Sequence, residues 1–334
     1  MMRAASWLGS WPYRAGVRIR NRQFDHGGRQ IHRAGVPVIS VGNLTTGGTG
    51  KTPIVCSLAK RIRAMDRRVS LVSRGYGRGE SGQNDEAAEL FARLRDVPHV
   101  QDPDRVEAAR IAVEELETEV VLMDDGFQHR RLHRDLDIVV IDATCPFGFG
   151  HLLPRGLLRE PVRAIRRADL IIVSRCGLVD DVALETIIAK LRRVDPRIGD
   201  EVPLITSDHR PASLLRHPED SMSLSLLNNA PVAMVCAIGN PEAFRRTIES
   251  CGGTVVGSRK LPDHDRFEPA TVRELQSWIE GLARPVDYVV CTHKDLVKLQ
   301  TDRLGGIPLV ALLIDWTVIR GEDELHAAIE KVVG

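Results

Sequence analysis

The chain is poor in aromatic residues, which make up 4% of its 334 positions. Two of its four tryptophans, Trp7 and Trp11, fall close to the N-terminus. No predominantly apolar run reaches the length of a transmembrane helix, so none is expected. Residues 221–241 carry no charge, but serines, asparagines and Pro231 interrupt them, and a buried strand plus loop is the better reading. The N-terminus lacks the continuous apolar stretch of a secretory signal. The six cysteines form no C-x-x-C pair and read as reduced, mostly buried cytosolic thiols. Net charge is also missing: 46 basic and 45 acidic side chains leave +1, which argues against a strongly basic nucleic-acid binder. What remains, 43% hydrophobic and 27% charged residues, is the composition of a folded soluble protein rather than a disordered or fibrous one.

The small net charge conceals an uneven distribution. Residues 1–35 hold seven arginines and one acid, Asp25, so this arm is +6 and the rest of the chain −5. Trp7, Leu8, Trp11, Tyr13, Val17 and Ile19 are interspersed with the arginines. Such an arm fits an anionic membrane surface, lying in the interface plane, or a basic helix packed against the core. Pro12 is expected to break a helix there or to confine it to later residues.

From residue 36 onward, apolar runs of strand length alternate with helix-period segments. Strands are predicted at Val36–Val41, Val69–Val72, Val120–Met123, Ile138–Ile141, Leu170–Val173 and Pro203–Thr206. Their apolar runs without alternation are those of strands covered on both faces. Helices are predicted from the face Ile54, Val55, Leu58, Ile62 and Met65, from Asp85 to about Arg95, from the face Val106, Ala109, Val113 and Leu116, and near Ala183–Arg193. This order implies a doubly wound and mainly parallel sheet in residues 1–208, made P-loop NTPase-like by the glycine-rich loop at residues 42–52. His209–Asn229 reads as a linker. A second, smaller α/β domain is expected in residues 209–334: strands at Val232–Ala237, Thr254–Val256, Tyr288–Cys291 and Leu309–Ile314, helices at Glu242–Ser250, Pro269–Glu280 and Asp323–Val332, the last possibly packing back on the first domain.

Between the first strand and its helix lies Gly42-Asn-Leu-Thr-Thr-Gly-Gly-Thr-Gly-Lys-Thr52. Glycines let successive backbone N–H groups curl around phosphate oxygens, and the following helix adds the positive end of its dipole. Thr46, Gly47, Gly48, Thr49 and Gly50 would cradle a nucleotide, Lys51 would neutralise its β/γ-phosphates, and Thr52 would hold Mg²⁺. The first glycine of the usual pattern is replaced by Thr45. Downstream, Val120-Val-Leu-Met-Asp-Asp125 is an apolar strand ending in two carboxylates, where an open α/β sheet binds ligands and a carboxylate can meet Mg²⁺.

Three classes of nucleotide protein compete. A GTPase should show [NT]-K-x-D, but in Thr292-His-Lys-Asp295 the lysine and aspartate are adjacent. A deviant-Walker ATPase acting as a positioning or scaffold module should carry lysine just before the glycine pair, where Thr46 stands. A phosphotransferase needs a base near the γ-phosphate, and Asp85-Glu86 and Asp263-His-Asp265 are candidates.

The segment Val38-Ile-Ser-Val-Gly-Asn-Leu-Thr-Thr-Gly-Gly-Thr-Gly-Lys-Thr-Pro53 closely resembles the P-loop of the tetraacyldisaccharide 4′-kinases, the lipid A 4′-kinases. Further matches follow in family order: Ser73-Arg-Gly-Tyr-Gly-Arg78, Asp85-Glu86, Asp124-Asp-Gly-Phe-Gln-His129, Leu153-Pro-Arg-Gly-Leu-Leu-Arg-Glu-Pro161, Ile238-Gly-Asn-Pro241, Pro262-Asp-His-Asp-Arg-Phe267 and Lys294-Asp-Leu-Val-Lys298. Departures are Asn84 and Ala87 flanking the Asp-Glu pair, where the family usually has Gly and Pro, and His293, where it tends to have Glu.

The resemblance implies ATP- and Mg²⁺-dependent phosphorylation of the 4′-hydroxyl of a tetraacyl glucosamine disaccharide 1-phosphate, giving lipid IVA. It implies a peripheral protein at the cytoplasmic face of the inner membrane, with no nucleic acid and no obligate protein as partner. It also implies two domains joined by two strands, expected near His209–Leu215 and Leu309–Trp316. On this resemblance Asp85 is the base with His264 as its partner, and closure of the second domain over the first joins them. Lys51 and Asp125 are also catalytic in this reading. Thr52, Glu86, Asp124 and Asp125 would hold the metal, directly or through water. Asn43, Arg74, Tyr76, Arg78, Gln128, His129 and Arg159 are candidate substrate contacts. Arg155, Arg159, Arg163, Arg166 and Arg167 read equally as a solvated helix face or as contacts to the substrate phosphate or anionic lipids.

Overall fold

The computed structural model describes residues 2–75, 85–262 and 265–334, with the side chains of residues 2–9, Asp85 and Glu86 left out. Tyr76, Arg78 and His264 therefore lie outside the described residues. The elements in chain order are α1 (Met2–Asp25), β1 (Val38–Asn43), α2 (Lys51–Ala64), β2 (Val69–Ser73), α3 (Asp85–Arg93), β3 (His99–Gln101), α4 (Arg105–Glu115), β4 (Val120–Asp124), β5 (Leu136–Asp142), β6 (Leu170–Ser174), α5 (Asp181–Val194), β7 (Leu204–Arg216), β8 (Asp220–Met222), β9 (Pro231–Cys236), α6 (Pro241–Ser250), β10 (Thr254–Lys260), α7 (Pro269–Glu280), β11 (Tyr288–Thr292), α8 (His293–Leu299), β12 (Arg303–Leu304), β13 (Ile307–Arg320) and α9 (Glu322–Val333).

The chain divides into two compact units. The first holds residues 1–78, 94–209 and 316–334. Its strands run in the order β3-β2-β4-β1-β5-β6-β7 and every neighbouring pair is parallel. All residues of β1, β2, β4, β5 and β6 are buried, which is why their sequences read as unbroken apolar runs. On one side of the sheet Val38, Val121 and Met123 pack against Ala108, Ala109 and Ala112 of α4. The alanines, rather than the expected Val106 and Val113, are fully buried, and Leu116 is exposed. A separate core joins Val139, Ile141, Ile171 and Val173 to Phe127, Ile165, Ile187 and Leu191. Helix α9 also belongs to this unit, and its Glu322 is paired with Arg61 of α2.

Helix α1 runs through Pro12 without the expected break. A proline removes a single amide donor, and tertiary contacts outweigh that loss. Val17 and Phe24 are buried, the Tyr13 hydroxyl donates to the Arg159 carbonyl at 3.0 Å, and Arg20 and Asn21 bind the buried Glu160 at 3.0 and 2.9 Å. Trp11 and Ile19 remain exposed. No described helix is long and apolar enough to cross a membrane.

The second unit takes in α3 and residues 210–315. Strands β10, β9, β11 and β13 lie side by side in parallel, with β12 antiparallel to β13 and β8 antiparallel to β7. The chain passes between the units within β7, after His209, and within β13, after Asp315. The first eight residues of the segment expected as a linker, 209–216, are thus the continuation of one long strand. The charged and proline residues Asp208, His209, Arg210 and Pro211 hide it from an apolar-run reading. Helix α3, placed with residues 1–208 from the sequence, groups here instead. It packs on α8: Glu89 lies 3.9 Å from His293 Nδ1 and 3.9 Å from Arg93, and Arg93 also donates to the Ile314 carbonyl at 2.9 Å. Burial works to raise the Glu89 pKa, but His293, Arg93 and Lys294 outweigh it and hold the carboxyl below its usual range.

All six cysteines are free thiols, four buried and two half-buried.

Candidate active site

The site is built where β1 ends and α2 begins, all within the first unit. Gly47 and Gly50 have φ of 102° and 76°, the left-handed region that glycine enters without cost. Gly50 is the N-cap of α2, so the loop delivers its lysine and threonine as the first two residues of that helix. Thr45 needs no glycine. It pairs with Leu158 in an antiparallel bridge, and its methyl group packs so closely on Gly148 that a Cβ there would come within 3.0 Å.

Two sets of contacts fix the loop. On one side, Thr46 N–H donates to the Leu157 carbonyl at 2.7 Å and Arg159 N–H to the Leu44 carbonyl at 2.7 Å. On the other, Asn43 Nδ2 donates to Thr49 Oγ1 at 3.2 Å, Ser174 Oγ to the Thr49 carbonyl at 3.2 Å, and His209 Nε2 to the Gly50 carbonyl at 3.0 Å. Burial pushes the His209 pKa down. The neutral ring must carry its proton on Nε2 to make that bond.

The carboxylate of Asp125 stands opposite the lysine. Lys51 Nζ is 3.3 Å from Asp125 Oδ1 and 3.3 Å from Asn43 Oδ1. Arg159 Nη1 donates to Asp125 Oδ2 at 2.7 Å and lies 3.4 Å from Gln128 Oε1. Gln128 Nε2 donates to the Asn43 carbonyl at 2.8 Å. Burial works to raise the Asp125 pKa, but Lys51 and Arg159 prevail and hold the carboxyl below its usual range. The residue itself has φ of 53°, so the chain turns sharply directly after β4. The lysine contacts are long for charge-assisted bonds, so an arriving phosphate competes well for that ammonium.

A family model for tetraacyldisaccharide-1-P 4′-kinases matches residues 2–334. The chain belongs to that family. A tetraacyldisaccharide 4′-kinase of Anaeromyxobacter sp. (strain Fw109-5) is 40% identical over 340 residues, covering 96% of this chain and 89% of the relative. One from Syntrophus aciditrophicus (strain SB) is 34% identical, covering 96% and 90%. The chain also resembles the crystal structure of the "apo" form of LpxK from Aquifex aeolicus in complex with ATP, with a TM-score of 0.79, 29% identity and full coverage of both chains.

Within this kinase-family site the structure brings together Asn43, Lys51, Asp125, Gln128 and Arg159. Thr52 follows Lys51 in α2, and Asp124 ends β4, paired in register with Val41 of β1. A hydroxyl and a carboxylate are the hard oxygen donors that suit Mg²⁺, so these two residues fit the ion. Asp125, also expected as a metal ligand, has its two oxygens facing Lys51 and Arg159. His129 does not join this network by any hydrogen bond. Burial, followed by Arg105, lowers its pKa to about 4, and Asp104 and Arg131 are further neighbours. Arg74 is exposed just beyond β2, while Asp85 and Glu86 open α3 in the other unit.

Two residues that grip the loop were not anticipated. Ser174 ends β6, where its position at a carboxyl-terminal strand end was the available signal. His209 lay in the supposed linker, with no local pattern to mark it.

Proposed function

We propose that this chain transfers the γ-phosphoryl group of ATP to the 4′-hydroxyl of a tetraacyl glucosamine disaccharide 1-phosphate, giving lipid IVA. The observation that carries the reading is the family match across residues 2–334, on a chain whose phosphate loop is fully formed.

In this reading the backbone of residues 46–50 cradles the triphosphate. Lys51 leaves Asp125 for the phosphate oxygens and neutralises charge that builds up in the transition state. Asp125 and Asn43 hold the ammonium in waiting until then. Arg159 and Gln128 face the acceptor, and Arg74, Tyr76, Arg78 and His129 are further candidates for its contacts. Asp85 takes the hydroxyl proton and His264 orients it. Thr52 and Asp124, with Glu86, would hold Mg²⁺, which when bound screens the phosphate charge. Asp125 sets the lysine and, beside Asp124, stays a candidate ligand to the ion.

The acceptor is a lipid, so the basic arm is read as a peripheral contact with an anionic membrane, at the cytoplasmic face of the inner membrane. The exposed Trp11 and Ile19 on an arginine-rich helix support that reading.

The test is transfer of ³²P from ATP to the disaccharide lipid, with ATP hydrolysis alone measured beside it. Transfer that depends on the lipid is expected. Hydrolysis without transfer would favour a P-loop ATPase acting as a positioning module.

A further inference from the structure

Helix α3 begins at Asp85, the residue read above as the base, and groups with the second unit. Its Ala87 and Leu90 are buried. Apolar burial holds a helix down but is non-directional, so it chooses neither the rotation of the helix nor its position along the axis.

Three polar side chains of the second unit supply that choice. Positions 85, 89 and 93 recur every four residues and share one face of α3. Glu89 Oε1 lies 3.9 Å from Nδ1 of His293, the first residue of α8, and 3.9 Å from Arg93 Nη1. Arg93 Nη2 donates to the Ile314 carbonyl of β13 at 2.9 Å and is paired with Asp315. Glu89, His293 and Arg93 are only 17%, 7% and 9% exposed, so salt and water screen them weakly. His293 Nδ1 is buried and makes no hydrogen bond among the described residues, which leaves the Glu89 carboxylate as its counterpart. Against an apolar replacement, a buried cluster of this kind adds little net stability; what it can fix is register. Glu89 is four residues from the start of the helix, about 6 Å along its axis. A slip or turn at Glu89 is therefore carried to Asp85.

We infer that Glu89, His293 and Arg93 are positioning residues for phosphoryl transfer, fixing the register of α3 on α8 and β13 and with it the place of Asp85. The inference rests on the kinase reading above, with Asp85 as the base. A base contributes roughly 10²–10⁴ to such a rate, and a misplacement of about 1 Å can forfeit a hundredfold of it. The phosphate loop belongs to the first unit, so the cluster acts on the rate and not on the binding of the triphosphate.

The variants are Glu89→Gln, His293→Gln, His293→Glu, Glu89→Gln with His293→Glu, and Asp85→Asn alone and with His293→Gln. Thermal melting checks the fold. ATP titration calorimetry in EDTA counts the sites to which each rate of transfer to the disaccharide lipid is normalised. Glu89→Gln should lower kcat by about tenfold or more, with ATP affinity unchanged. His293→Glu sets a second carboxylate beside Glu89 and should cost more than His293→Gln; adding Glu89→Gln should recover part of that loss. In the Asp85→Asn background, His293→Gln should bring no further fall, because both changes then remove the same contribution. A further fall there, or a loss of rate that only follows a loss of ATP sites, would make the cluster a structural support and overturn the inference. An unchanged kcat in His293→Glu would also overturn it. A wild-type chain that transfers no phosphate to the lipid would instead overturn the kinase reading. Asp85→Asn as fast as wild type would overturn the base assignment on which the inference stands.

Discussion

Lys51 and Asp125 face each other across 3.3 Å, and Arg159 holds the other oxygen of the same carboxylate at 2.7 Å. The ammonium that should neutralise phosphate is thereby kept in place by an acid 74 residues along the chain. Replacing Lys51 with Ala should lower kcat by about a hundredfold or more, since electrostatic stabilisation of the transferring group is lost. Single-turnover phosphoryl transfer measures it, and an unchanged rate would remove Lys51 from the chemistry.

The same pair has a consequence for acid stability. The Asp125 pKa is depressed in the folded chain, so its contribution is present above the ordinary carboxylate range and is lost as pH falls through the lowered value. In Lys51→Ala one of the two cations is gone, burial counts for more, and the acid-unfolding midpoint should move to higher pH. Circular dichroism from pH 7 down to pH 2 would show the shift.

Gly50 should tolerate no side chain. A Cβ would meet the His209 ring at 2.5 Å, and φ of 76° strains any L-residue. Gly50→Ala should cost about 1–3 kcal/mol from the backbone alone, with the ring contact added to it. Combining it with His209→Ala should recover the steric part and not the backbone part. Urea unfolding and ATP titration calorimetry on the two variants would separate them.

His99 accepts or shares a hydrogen bond with Ser73 Oγ at 2.8 Å, and burial lowers its pKa from 6.5 to about 4. Below pH 6.5 the unfolded chain takes up a proton that the folded chain refuses until about pH 4. Stability from this group therefore falls as pH drops through that window, by at most about 3 kcal/mol. The difference in unfolding free energy between wild type and His99→Gln, measured at pH 7 and pH 4.5, should narrow by that order. A constant difference would mean His99 titrates alike in both states.

If α1 meets an anionic bilayer through its arginines, Arg18→Glu and Arg22→Glu should each weaken binding to phosphatidylglycerol vesicles. Removing one cation costs about 1 kcal/mol, roughly fivefold, and reversal should cost more. Flotation at two salt concentrations would check it. Both side chains are exposed, whereas deleting the whole helix would strip Val17 and Phe24 from the core.

The phosphate loop was legible because its information is local: glycine spacing, a lysine and a threonine between a strand and a helix. The strands of the first unit were legible because burial on both faces leaves unbroken apolar runs. Helix α8 was missed as an element although its signal was present. Thr292 caps it by accepting from Asp295 N–H at 3.3 Å, a T-x-x-D pattern that was weighed only as a nucleotide motif. His209 and Ser174 reach the loop across 159 and 125 residues, and no local rule reports a tertiary hydrogen bond. The grouping of α3 with the second unit was hidden for the same reason, since it depends on Glu89 meeting His293 and on Arg93 meeting Ile314 midway along β13.

Glu160 is fully buried and is held by Arg20 and Asn21 of α1 and by Arg167, while its neighbour Arg159 grips Asp125. Two adjacent residues thus couple the basic arm to the phosphate loop as one mechanical piece. Anything that tilts or withdraws α1 pulls on the arginine that holds Asp125 opposite Lys51. Loss of activity after a change in the arm would for that reason report on the phosphate loop as much as on any contact the arm itself makes.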